Sequence, residues 1–161
     1  MKPALHFACP LLLGFVFVSF VQRYHASLAQ TAPANGNTIK LLALNQPPCS
    51  VPSPESMITA RLAYHITEQE QSEHGFSVSI KFQGTDPRMT FSMGLAGQKA
   101  GETLVTSRND TLTLRYPMAA IWGNPRLKRP ITCYFYLHRY TAPGRSTVIA
   151  KTPPVVFAEC Q

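Results

Sequence analysis

The chain has 161 residues, 45% of them hydrophobic and 14% charged, with a formal net charge of +7. That is too apolar for a disordered chain and long enough for one domain with a real core. Fourteen prolines, nine glycines and four cysteines point to a loop-rich fold, with too few cysteines for a disulfide-dense scaffold.

The chain opens as a removable address. Lys2 is followed by an apolar run from Phe7 to Val21, broken only by Pro10, Gly14 and Ser19. The run is shorter than the roughly 20 residues a spanning helix needs. "QRYHASLA" then turns polar and ends with Ser27 and Ala29 in small-residue positions. The pattern predicts a secretory signal peptide over 1–29, cut after Ala29, and a product that is extracellular, or periplasmic in a bacterium. No later segment is apolar for long enough to span a bilayer, so no stable membrane insertion is expected. Without 1–29 the chain keeps thirteen basic and eight acidic groups, a balance of +5. The charge is uneven, because residues 111–161 hold seven basic groups and one acid, Glu159. A basic C-terminal half suits a protein partner or an anionic surface or glycan.

Residues 30–56 read as a flexible, proline-rich N-terminal segment, within which "TIKLLALN" (38–45) has the pattern of a short strand. "QPPCSVPSPES" (46–56) holds four prolines and fits no regular element. The domain is expected over 57–161. "MITARLAYHI" (57–66) has the start signals of a helix in Ser53, Pro54 and Glu55. Its two-residue alternation of Ile58, Ala60, Leu62, Tyr64 and Ile66 favours a strand. "FSVSIKF" (76–82) sets Phe76, Val78, Ile80 and Phe82 against Ser77, Ser79 and Lys81, a half-exposed antiparallel strand. "RMTFSM" (88–93) repeats the alternation. "TLVTS" and "TLTLRY" flank "RND" and read as a hairpin. "ITCYFYLHRY" (131–140) is the longest strand, "TAPGRS" its turn, and "TVIAK" and "VVFAEC" follow around Pro153 and Pro154. So many short amphipathic strands predict an antiparallel β-sandwich of immunoglobulin-like size, with a small closed β-barrel as the alternative.

Catalytic signals are weak. His65, His74 and His138 are scattered, no nucleophile signature is present, and Asp86 and Asp110 fall in turns. The glycine-rich stretch 94–103 lacks the ending of a phosphate-cradling loop. The cysteine and histidine spacings match no metal motif, so neither metal nor cofactor is expected. Nucleic-acid binding is set aside because the chain is read as secreted. Cys49, Cys133 and Cys160 allow one disulfide, with Cys133–Cys160 preferred over Cys49–Cys160. Asn109-Asp110-Thr111 is a glycosylation sequon.

The expected function is that of a secreted, non-enzymatic binding protein. Its candidate partner-binding residues are Arg126, Lys128 and Arg129 in "NPRLKRP", Tyr134, Tyr136 and His138 on the longest strand, and Arg145 in its turn. In signal peptide, size and strand pattern the chain resembles small secreted β-sandwich proteins, including effector-like proteins that microbes release. Two alternatives stay open. One is a protease inhibitor that offers the proline-braced basic loop 124–130 or Arg145. The other is a hydrolase whose site the sequence hides. Because the strands have one polar face each, Tyr134 and Tyr136 are expected to be at least partly exposed, forming with His138 a stripe beside Arg139.

Overall fold

Alternation of apolar and polar residues, with almost no helix signal, requires the apolar faces of the strands to be buried against one another, and packing two sheets together does this. A computed structural model describes residues 36–45, 57–92, 101–121 and 123–157. It is an antiparallel β-sandwich without barrel closure. The strands are β1 (Thr38–Asn45), β2 (Met57–His65), β3 (Phe76–Gln83), β4 (Thr90–Phe91), β5 (Glu102–Val105), β6 (Asn109–Pro117), β7 (Ile131–Ala142), β8 (Arg145–Lys151) and β9 (Val155–Phe157). The small sheet has the order β1-β2-β6. The large sheet has the order β4-β3-β7-β8, with β5 also pairing with β3 and β9 with β7. Residues 1–29, where a signal peptide is expected, and the segment 46–56 lie outside the described residues.

The two-residue period of 57–66 does make a strand. Ile58, Ala60, Leu62, Tyr64 and Ile66 are all buried. From the large sheet Val78, Ile80, Phe82, Cys133, Phe135 and Leu137 meet them. The rings of Phe82 and Tyr116, one from each sheet, lie 5.1 Å apart. β1 pairs with β2 along its length, so the short strand expected over 38–45, within the proline-rich stretch 30–56, is formed and joins the small sheet.

Three expectations are corrected. The "RND" stretch is not a hairpin tip, because β5 pairs with β3 and β6 pairs with β2. The chain instead crosses from one sheet to the other there. The crossing is tied down by Arg108, whose guanidinium donates to the carbonyls of Thr67 (2.7 Å) and Glu70 (2.9 Å). Asn109 of the sequon is exposed at the start of β6. Second, the strand expected over 88–93 shrinks to Thr90–Phe91. A tight turn consumes its beginning: Met89 N–H donates to Asp86 O and Arg88 N–H to the Asp86 carboxylate.

Third, Cys133 is a free, fully buried thiol. It points into the core, and its cross-strand neighbour is Val155, five residues before Cys160. Burial pushes the thiol pKa up to about 12. The Cys133–Cys160 bridge is therefore not formed in this structure. Cys49 and Cys160, the alternative pair, both lie outside the described residues.

The hairpin from β7 to β8 turns as expected. Ala142 pairs with Arg145, and Gly144 between them has a φ of 72°, which a two-residue turn after proline favours in glycine. The prolines at 153 and 154 interrupt the ladder between β8 and β9. Thr152 patches the gap: Phe135 N–H donates to Thr152 Oγ1 (3.0 Å) and Thr152 N–H to Phe135 O (2.9 Å).

Candidate functional site: the outer face of the large sheet

The outer faces of the two sheets differ in kind. On the small sheet, the register aligns Thr59, Arg61, Ala63 and His65 with Arg115, Thr113, Thr111 and Asn109. These are small or charged side chains suited to plain solvation. On the large sheet, β3 contributes Ser77, Ser79, Lys81 and Gln83, opposite His138, Tyr136 and Tyr134 of β7. The large sheet thus carries a row of rings beside a row of small polar groups.

The register extends this into ordered rows across four strands. One row reads Val148, His138, Ser77, Leu104; the next reads Lys151, Tyr136, Ser79, Glu102. Leu104 is 68% exposed and Val148 45%, and Val156, paired with Thr132, is 47% exposed. Among the described residues, three of the five exposed large hydrophobics, the others being Leu42 and Met89, therefore lie on this one face.

At its centre the polar groups satisfy one another. Ser79 Oγ and His138 Nε2 are 2.7 Å apart, and Ser146 Oγ lies 3.4 Å from His138 Nδ1. Ser77 Oγ donates to Glu102 Oε1 at 2.6 Å, and the Tyr140 hydroxyl donates to the same oxygen. Lys81 Nζ donates to Ser92 Oγ. Along β7 the rings of Tyr134 and Tyr136 lie 6.1 Å apart and near parallel, and His138 meets Tyr136 edge-on at 5.9 Å.

Burial sets the electrostatics. Desolvation, with help from nearby Lys81, pushes the His138 pKa down, and Glu102 only partly opposes it. Desolvation likewise lowers Lys81, again with Glu102 opposing. For Glu102, burial pushes upward. The Ser77 and Tyr140 hydroxyls, then the charges of His138 and Lys81, outweigh it and hold the carboxyl below its usual value. Tyr140 is raised by desolvation and by its bond to Glu102.

The expected site residues do not form one patch. Tyr134 and Tyr136 are half-buried on the outer face, and Tyr134 reaches Gln83 with its hydroxyl at 3.3 Å. His138 shares that face but is only 6% exposed, because the serines and tyrosines close around it. Arg139 alternates to the opposite side and pairs with Glu70 at 2.9 Å, so it is not beside the stripe. Arg126, Lys128 and Arg129 are exposed at the Ile131 end of β7, whereas Arg145 is exposed at the other end. Twelve residues of strand put the two groups roughly 35 Å apart.

The basic loop is bound down as well. Leu127 is buried and bridges to Gly84, Thr85 N–H donates to Arg126 O, and Lys128 N–H donates to Gln83 O. The Arg126 guanidinium lies 4.4 Å over the Phe91 ring.

The residues missed from sequence are Ser77, Ser79, Glu102 and Lys151. The polar face of "FSVSIKF" was visible, but which strands flank it was not. Half-exposure was expected for that face. Ser77 and Ser79 are instead almost fully covered by their larger cross-strand neighbours. Among the described residues no three His, Cys, Asp or Glu side chains are grouped so as to hold a metal ion.

Comparison of the chain with protein-family models, with curated proteins and with solved structures finds no match.

Proposed function

We propose that this protein is secreted and acts by binding, with the outer face of the large sheet as its contact surface. The observation that carries this reading is the contrast between the two outer faces. The β2 and β6 rows of one are small or charged, with Leu42 exposed on its edge strand β1; the other combines half-buried tyrosines with exposed Leu104, Val148 and Val156. Tyrosine gives large contact area at small entropic cost, and exposed apolar side chains gathered on one face favour burial against a partner. The basic residues at both ends of β7 frame this face, where they steer approach toward anionic surroundings more than they add affinity.

The alternatives are weaker on this geometry. A hydrolase has a starting point in the Ser79–His138 pair, with Glu102 on the same face. However, Ser79 is 2% exposed, and His138 Nδ1 faces the Ser146 hydroxyl rather than a carboxylate. A protease inhibitor needs a loop with its backbone free to pair with the protease. The backbone around Arg126–Lys128 is already engaged by Gln83 and Thr85, and Arg145 follows a two-residue turn.

The test is retention of the labelled protein on cells and matrix from its natural surroundings. Leu104→Asp and Tyr136→Ala should reduce retention several-fold while both variants stay folded, and Arg61→Ala on the small sheet should have no effect. Equal retention by all three variants would overturn the reading.

A further inference from the structure

We infer that the partner seated on this face is a second copy of the same chain. This rests on the reading of the face as a contact surface and names its occupant. The reason is that the face complements itself about one particular axis. Consider a two-fold axis parallel to the strands and lying over the boundary between β3 and β7. Rotation about it keeps each row in place and reverses its order. β7 of one copy then lies over β3 of the other, and β8 over β5.

In the row Lys151, Tyr136, Ser79, Glu102, the reversal sets Lys151 over the partner's Glu102 and Tyr136 over the partner's Ser79. In the row Val148, His138, Ser77, Leu104, it sets Val148 over the partner's Leu104, while His138 and Ser77 between them stay covered within their own chain. One row further, Tyr134 meets the partner's Lys81, a cation over a ring. Charge therefore meets opposite charge, and aliphatic meets aliphatic. Two-fold symmetry makes every one of these contacts twice.

A two-fold axis set across the strands over the Tyr136 row lacks this match, because it faces Lys151 with the partner's Lys151 and Glu102 with the partner's Glu102. Glu102 is suited to its part in the first arrangement. Its bonds from Ser77 and Tyr140 both land on Oε1, and Oε2 takes neither.

The experiment is the solution mass of the purified protein by sedimentation equilibrium, with variants chosen for charge. The protein should be a dimer in the micromolar range. Lys151→Glu alone and Glu102→Lys alone should each move it to monomer, because each creates two like-charge contacts. Mixed in equal amounts, the two variants should regain the dimer mass, because both contacts are then oppositely charged. Glu102→Lys also removes the acceptor of Ser77 and Tyr140 and can impair folding, so Leu104→Asp is the second probe. That residue is exposed, and the variant should be a folded monomer that unfolds cooperatively, with a melting temperature that no longer depends on concentration.

A wild-type protein that stays monomeric into the high micromolar range overturns the inference, as does a dimer that survives both Lys151→Glu and Leu104→Asp. The two readings fail separately. A monomeric wild type whose Leu104→Asp variant still loses surface retention removes the second copy and leaves the contact surface. A Leu104→Asp variant that changes neither mass nor retention removes both.

Discussion

Ser79 Oγ lies 2.7 Å from His138 Nε2 on adjacent strands, and both side chains are almost wholly buried on what is formally the outside of the sandwich. Desolvation lowers the His138 pKa, with Lys81 adding to it and Glu102 opposing. A lowered pKa means that the unfolded chain binds the proton more readily than the folded one. Stability is then fully present above the ordinary histidine value of about 6.5 and is lost as pH falls toward the folded value. The melting temperature should drop on acidification through that window. His138→Gln, which keeps a polar side chain but cannot titrate, should flatten the profile there. An unchanged acid slope in His138→Gln would show that other groups govern it.

Tyr136 and Phe135 are sequence neighbours on opposite faces of β7, and they should respond differently to truncation. Phe135 is fully buried between the sheets. Phe135→Ala should cost about 3–5 kcal/mol. Tyr134→Ala and Tyr136→Ala should each cost less than about 1.5 kcal/mol, in keeping with their half-burial, while weakening association. Chemical denaturation of the three variants checks this. A tyrosine loss as large as that of Phe135 would make the stripe part of the core.

Thr152 stands in for a ladder strand next to Pro153 and Pro154. Its hydroxyl accepts from the buried N–H of Phe135. Thr152→Val keeps the shape and removes the acceptor, leaving that donor unpaired, at a cost of about 1–3 kcal/mol. Equilibrium unfolding should show the loss, and faster exchange of the Phe135 amide should accompany it. Slow exchange in the variant would mean that another group satisfies the amide.

The fold was largely legible because each strand carries its own alternation: 57–66, 76–82 and 131–140 reveal which residues face the core without any knowledge of their neighbours. Pairing was less legible. "TLVTS" and "TLTLRY" look like hairpin partners because they are close in sequence. Only the tertiary structure shows that Arg108 anchors a crossing between sheets. The site was half legible for the same reason. Tyr134 and Tyr136 stand out in a single strand, whereas Ser79, Glu102 and Lys151 gain meaning only once β3, β5 and β8 take their places beside β7. Net charge carries no distance, so a basic C-terminal half does not make one patch: the length of β7 separates Arg145 from Arg126, Lys128 and Arg129.

The central claim is that the outer face of the large sheet is covered by a second copy. Hydroxyl-radical footprinting of the purified protein across a concentration series tests it most directly, because Leu42 and Met89 are exposed elsewhere and serve as internal references. Labelling of Leu104, Val148 and Tyr136 should fall as concentration rises, while that of Leu42 and Met89 stays constant. Labelling at Leu104, Val148 and Tyr136 that does not change with concentration, or protection that grows at Leu42 and Met89 instead, would contradict the account.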